Sequence, residues 1–150
     1  MDHVDYKILS LLQKNARVTN AEIARQIGMV PSGVLERIRK LEEHEIIREY
    51  TVRLNHEVLN LGVLAFIFVR TSESPGSICI AEKLAEFDDV MEVHHVAGED
   101  CYFLKVRFQN NKSLAAFMRE KLGTIPEVTS TRTVIVLETI KETSKVRLPE

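Results

Sequence analysis

Residues 19–44 constrain this chain more than any other stretch. They read TNAEIARQIGMVPSGVLERIRKLEEH, which draws as two short helices with a tight turn between them. Thr19 can cap the first helix, and Glu22 sits at the capping-box spacing three residues on. Ile23, Ala24 and Ile27 share one face, and Gly28 supplies the backbone freedom for a sharp exit. Pro31 suits the first position of a second helix, where its missing N–H leaves nothing unpaired. Val34, Leu35, Ile38 and Leu41 form that helix's expected buried stripe. Ser32, Glu36, Arg39, Lys40 and Glu43 then point away from it, with Gly33 and Arg37 on its flank. A helix anchored along one side, with small and basic residues on the other, fits the recognition helix of a helix-turn-helix DNA reader. Two helices around a glycine turn also occur in ordinary helical domains, so the rest of the chain must be weighed.

Charge bears on that reading. The net charge is −2, not the strongly basic balance of a non-specific nucleic-acid binder. Residues 1–55 hold nine Lys/Arg and eight Asp/Glu; the remainder holds eleven and fourteen. DNA binding therefore needs a local patch and dimerisation rather than bulk charge. The apolar run at 63–69 is far too short to cross a membrane. The chain opens directly on a charged helix with no visible signal peptide, so a cytoplasmic location is expected. Cys79 and Cys101 have neither a disulfide-framework pattern nor a metal-ligand spacing.

Residues 2–14 read as a first helix, capped by Asp2, with Asp5 at the positive end of its dipole. Val4, Ile8, Leu11 and Leu12 line one face and complete a three-helix core. Residues 46–54 alternate apolar and polar, which predicts a short strand acting as a wing or hinge. A linker leads to Leu61 and Gly62.

The period then changes. LAFIFVR at 64–70 is a β-rich run expected as a central strand. Residues 77–87 place Ile78, Ala81, Leu84 and Ala85 at helical spacing. Residues 91–97 and 102–108 make a hairpin around Gly98, Glu99 and Asp100. Residues 112–122 form a helix with Leu114, Phe117, Met118 and Leu122 inward, stopped by Gly123. Residues 128–137 are a last strand, and the polar tail is expected to fray. The order is β-α-β-β-α-β, so the fold class is α+β: a helix-turn-helix domain and a ferredoxin-like domain. The expected boundaries are 1–50 for the DNA-binding domain, 51–62 for the hinge and linker, 63–141 for the second domain and 142–150 for the tail.

Taken together, NARVTNAEIARQIG, VLERIRKLEEHEIIREY, VAGEDCYFLKVRF and VTSTRTVIVLETIK resemble the Lrp/AsnC (feast/famine) family of prokaryotic transcription regulators. The resemblance runs from Asp2 to about Thr143. It implies a DNA-binding regulator whose C-terminal ACT-like domain dimerises and senses a small effector, usually an amino acid. Partners would be double-stranded DNA, the effector and further copies of the chain, as a homodimer or a higher assembly such as an octamer.

The resemblance turns Ser32, Gly33 and Glu36 toward base edges, and Arg37, Arg39 and Lys40 toward phosphates or guanines. Two alternatives stay open: Glu36 as an intrahelical partner of Lys40, and Arg37 as a pairing group inside the domain. It builds the effector site from Gly98, Glu99, Asp100, Cys101 and Tyr102, with Thr131 and Thr133 from the last strand. A glycine loop exposes N–H groups that hold a carboxylate, and a nearby acid holds an amino group; a plain hairpin turn is the alternative.

Three positions depart from the family's pattern. Val30 stands where a capping serine is usual, and Glu45 where glycine usually ends the recognition helix. Cys101 holds the place of the sensor-loop aspartate, with Asp100 one residue earlier. The last departure leaves a rival reading open, a ligand-independent architectural DNA-binding protein. An enzyme is not expected: adjacent His94 and His95 in a strand face opposite sides, and no nucleophile–base pair is legible. No metal or cofactor is expected.

Overall fold

The computed structural model describes residues 1–74 and 76–149, which form two compact units. One comprises residues 1–53 with 141–150, the other residues 54–140.

The first unit holds three helices: α1 (His3–Lys14), α2 (Asn20–Ile27) and α3 (Pro31–Glu43). Asp2 and Asp5 form a full capping box at the start of α1. Asp2 Oδ1 accepts from the N–H groups of Val4 and Asp5, and Asp5 Oδ2 accepts from the Asp2 N–H at 2.8 Å. Thr19 caps α2 by accepting from the Glu22 N–H. Glu22 does not reach back to close a box. Its carboxylate instead takes Arg25 and Gln26, each at 2.7 Å. Gly28 ends α2 in the left-handed region at φ 72°, which carries a steric cost for a side chain. Glu45 beyond α3 adopts φ 54°, where the sequence departs from the usual glycine.

The core of this unit is Ile8, Leu9, Ile23, Ala24, Val34, Ile38 and Leu41. Leu35, expected in the stripe, is exposed instead. It lies 100° beyond Val34, and the other two helices cover a narrower arc of α3 than the stripe assumed.

Residues 46–54 form no strand. A strand needs a ladder partner, and alternation of Tyr50, Val52 and Leu54 supplies none within the described residues. The tail, expected to fray, makes contacts at Glu142, Val146 and Leu148. Gln13 bonds the backbone of Val146, Glu142 stands 3.6 Å from Arg53, and Leu148 packs on the three-helix core.

The second unit is a four-stranded antiparallel sheet in the order β2-β3-β1-β4, the split βαβ topology. Its strands are β1 (Val63–Thr71), β2 (Val90–His95), β3 (Tyr102–Phe108) and β4 (Val128–Ile135). Helices α4 (Cys79–Ala85) and α5 (Asn111–Glu120) cover one face. Ala65, Ile67 and Val69 of β1 and Tyr102, Leu104, Val106 and Phe108 of β3 alternate inward. Ile80, Leu84, Leu114 and Phe117 meet them from the helices. Ile78, expected inward, is exposed, because α4 starts at Cys79, two residues later than expected, and turns Ile80 to the core. Glu73 fixes that start by accepting from the Ile80 N–H at 3.0 Å.

The opposite face of the sheet carries Phe66, Phe68 and Phe103, half-buried and mutually packed at centroid distances of 5.1 and 5.0 Å. Arg132 lies over the Phe68 ring at 3.9 Å.

Candidate DNA-reading helix and effector loop

α3 presents Ser32, Glu36, Arg39 and Lys40 outward, all exposed. Two ion pairs run along this face. Lys40 Nζ donates to Glu36 Oε1 at 2.8 Å, and Arg39 Nε stands 3.2 Å from Glu43. The Lys40 ammonium, which donates to Glu36, holds that carboxyl below its usual range. The intrahelical partner considered for Glu36 is therefore present.

Arg37 lies elsewhere. Its Nη1 donates to Asp5 at 2.7 Å and to Asp2 at 2.9 Å, so it bolts α3 to the capped start of α1. Those bonds raise the Arg37 pKa, and Asp2 is held low by the Asp5 N–H together with Arg37. This is the pairing alternative, and it separates Arg37 from the outward set. Gly33 is half-buried against the turn before α3: a Cβ there would come within 3.1 Å of Met29 Cε. A larger residue there would make the tip of Met29 shift by a few tenths of an ångström. Val30 makes no side-chain cap, and the Gly33 N–H turns to the Val30 carbonyl at 3.1 Å.

In the second unit the hairpin between β2 and β3 turns through Gly98 at φ 140°, with open space where a Cβ would stand. Glu99 is 93% exposed at its side chain. Arg70 Nε donates to the Glu99 carbonyl at 3.0 Å, and Arg132 donates to Asp100 at 3.2 Å. Arg70 also stands 3.9 Å from Asp100. Both arginines lie on the aromatic face, since Arg132 pairs with Phe68 and Arg70 follows it by two residues.

The remaining expected effector residues divide. Thr131 and Thr133 pair with Val69 and Ile67, so they belong to the helix-covered side of the sheet. There the Thr133 hydroxyl meets the Met118 sulfur at 3.8 Å. Asp100 is thus tied to one face and the two threonines stand on the other. Tyr102 lies apart from both sets. It is only 1% exposed, and its hydroxyl donates to Glu73 Oε2 at 2.8 Å inside the core. Burial and then the Glu73 carboxylate push its pKa up to about 12. Cys101 turns its sulfur to Thr71, accepting from that N–H at 3.5 Å. Arg70 and Arg132 were not among the expected site residues. For Arg132 the available signal was its alternation with Thr131 and Thr133 along one strand.

His94 and His95 face opposite sides: His94 bonds Glu92 at 3.1 Å, and His95 leans on the Tyr102 ring. Among the described residues no group of three or more His, Cys, Asp or Glu is placed to hold a metal ion. No helix among them is long and apolar enough to cross a membrane.

A capped helix-turn-helix followed by an antiparallel ferredoxin-like unit defines a class, the DNA-binding regulator that carries its own ligand-binding domain. Comparison with known proteins agrees. A family model described as the Lrp/AsnC ligand binding domain matches residues 64–146, and one described as winged helix-turn-helix DNA-binding matches residues 1–48. The chain is 35% identical over 145 residues to the HTH-type transcriptional regulator FL11 of Pyrococcus horikoshii, covering 97% of this chain and 95% of that one. It is 31% identical over 147 residues to the leucine-responsive regulatory protein of Escherichia coli, covering 97% and 90%. In structure it is similar to the transcriptional regulator NMB0573 of Neisseria meningitidis in complex with L-Met: TM-score 0.90, 30% identity, 98% and 96% coverage. For AsnC of Escherichia coli the TM-score is 0.89 at 29% identity, with 97% of each chain covered. The chain belongs to the Lrp/AsnC family of transcription regulators.

Proposed function

We propose that α3 enters the major groove of DNA, with Ser32, Glu36, Arg39 and Lys40 at the duplex. Gly33 and Arg37 act behind them, as packing and as the bolt to α1. The carrying observation is that the outward face of α3 is exposed and, Leu35 apart, polar, while its other side is locked into the core. Arg39 and Lys40 are within side-chain reach of phosphates once they leave Glu43 and Glu36.

The effector is proposed to be an amino acid taken at the open loop 98–101. Gly98 offers an unobstructed backbone, and Arg70, Glu99, Asp100 and Arg132 set both signs of charge beside it. A zwitterion has use for both. Thr131 and Thr133 join such a site only across the edge of β4 or from a second copy. The Neisseria relative in complex with L-Met supports the chemical class.

A second copy is proposed to cover the aromatic face of the sheet, giving a homodimer, with higher assembly such as an octamer built from dimers. A ligand bridging subunits would bias that assembly and so the spacing of the DNA-reading helices. The cytoplasm, where prokaryotic DNA is read, is the proposed compartment.

One observation favours the architectural reading. Asp100, the acid nearest the family's position, is already paired with Arg132, and Cys101 offers no carboxylate. A thermal-shift screen of the common amino acids, with and without DNA, separates the two. The sensor reading expects at least one stabilising amino acid, with the shift lost in Gly98→Val. DNA binding with no amino-acid shift supports the architectural protein.

A further inference from the structure

The outward face of α3 holds one apolar side chain that the core does not use. Leu35 is 57% exposed, although Val34 beside it is fully buried. It stands three residues after Ser32 and four before Arg39, so the three are neighbours on the helix surface. The charged residues around it are engaged with one another: Glu36 with Lys40, and Arg39 with Glu43. An isolated exposed leucine needs no special reason. This one is the fifth residue of the thirteen in α3, in the N-terminal part from which such helices contact base edges. The major groove displays one apolar group, the C5 methyl of thymine.

We infer that Leu35 is a specificity-determining residue that packs on a thymine methyl in each half-site. This rests on α3 being the DNA-reading helix. Because Leu35 is exposed, shortening it leaves the fold intact, and its loss is read in DNA preference alone.

The full-length chain is used to select binding sites from a random duplex library. Each thymine of the selected site is then replaced by deoxyuridine, which removes the methyl and nothing else. One thymine per half-site is expected to lose about 4-fold in wild-type affinity on replacement, the worth of burying one methyl-sized group. Leu35→Ala is expected to bind thymine and uracil sites alike at that position, with an unchanged melting temperature. The inference is overturned if no uracil replacement weakens wild-type binding, or if Leu35→Ala keeps the wild-type ratio. A wild-type chain that binds no duplex overturns the reading of α3 and this inference with it. Intact, salt-sensitive binding with no methyl effect overturns this inference alone.

Discussion

Gln13 and Val146 lie 133 residues apart in sequence and are joined by two hydrogen bonds. Gln13 Oε1 accepts from the Val146 N–H at 2.8 Å, and Gln13 Nε2 donates to the Val146 carbonyl at 3.2 Å. The side-chain amide thus pairs with the backbone as a neighbouring strand would. Leu148 then adds apolar contact to a core of three short helices. Sixty-odd residues make a marginal domain, so each added contact counts. Leu148→Ala should destabilise the DNA-binding unit by about 1 kcal/mol, a fraction of the cost of emptying a fully buried leucine site. Gln13→Ala should act in the same direction. Chemical denaturation followed by helical circular dichroism checks both; unchanged midpoints would mean the tail adds nothing to the unit.

Arg37 and Arg39 are two residues apart and should fail differently. Arg37→Ala removes the bolt between α3 and the α1 cap, so the melting temperature should fall by on the order of 5 °C. Arg39→Ala and Lys40→Ala should leave the melt nearly unchanged. Each should weaken DNA binding and flatten the slope of log affinity against log salt by about 0.9. A salt slope altered by Arg37→Ala alone would reverse the assignment. The same cap predicts a pH effect. Asp2 is held below its ordinary carboxyl pKa of 3.8, and Glu22 is lowered from 4.5 to about 2, first by its bond from Arg25. Both contributions are full above those ordinary values and are lost as pH falls through the lowered ones. Asp2→Asn should therefore make the stability of this unit less sensitive to acid below about pH 4.

Val30 precedes Pro31 with extended backbone and no side-chain cap. Val30→Ser should stabilise the helix by about 1 kcal/mol at most. A melting temperature that stays level or drops would count against the vacancy of that cap.

Phe103 packs between Phe66 and Phe68 on the sheet face away from the helices. If a second copy covers this face, Phe103→Glu buries an unpaired charge in the interface and should shift the chain to monomer, with a dissociation constant raised ~100-fold or more. Sedimentation at several concentrations reads this. A dimer as tight as wild type would move the interface elsewhere.

Glu73 accepts from Tyr102, Ser77, Ile80 and Thr71. Burial works to raise its pKa, but those bonds hold it below 4.5. Its contribution is therefore complete above pH 4.5 and declines as pH falls through the lowered value. Tyr102 is raised to about 12, so its contribution is complete below pH 10 and is lost as pH rises toward 12. Glu73→Ala should cost the second unit about 1–3 kcal/mol by orphaning these donors. It should also bring the spectroscopic titration of Tyr102 toward lower pH. A tyrosine titration unmoved in Glu73→Ala would contradict the coupling.

Local signals in the sequence determined the elements. Asp2, Thr19, Gly28 and Pro31 set the helix ends because capping acts between residues two to four apart. Strict alternation from Tyr102 to Phe108 determined which side of β3 is buried, since a strand has period two. The βαββαβ order followed from those periods, and the quoted motifs identified the family. Tertiary structure decided the rest. It turned Leu35 out of the core, because the arc of α3 that α1 and α2 cover is fixed by packing and not by α3's own sequence. It left residues 46–54 without a ladder, because a strand exists only with a partner. It drew Tyr102 into the core through Glu73, 29 residues away, and set Asp100 and Thr131 on opposite sides of one sheet. It tied the tail to α1 across 133 residues. Those outcomes depend on groups far apart in the chain meeting in space, and no pattern within a few residues of each carries that information.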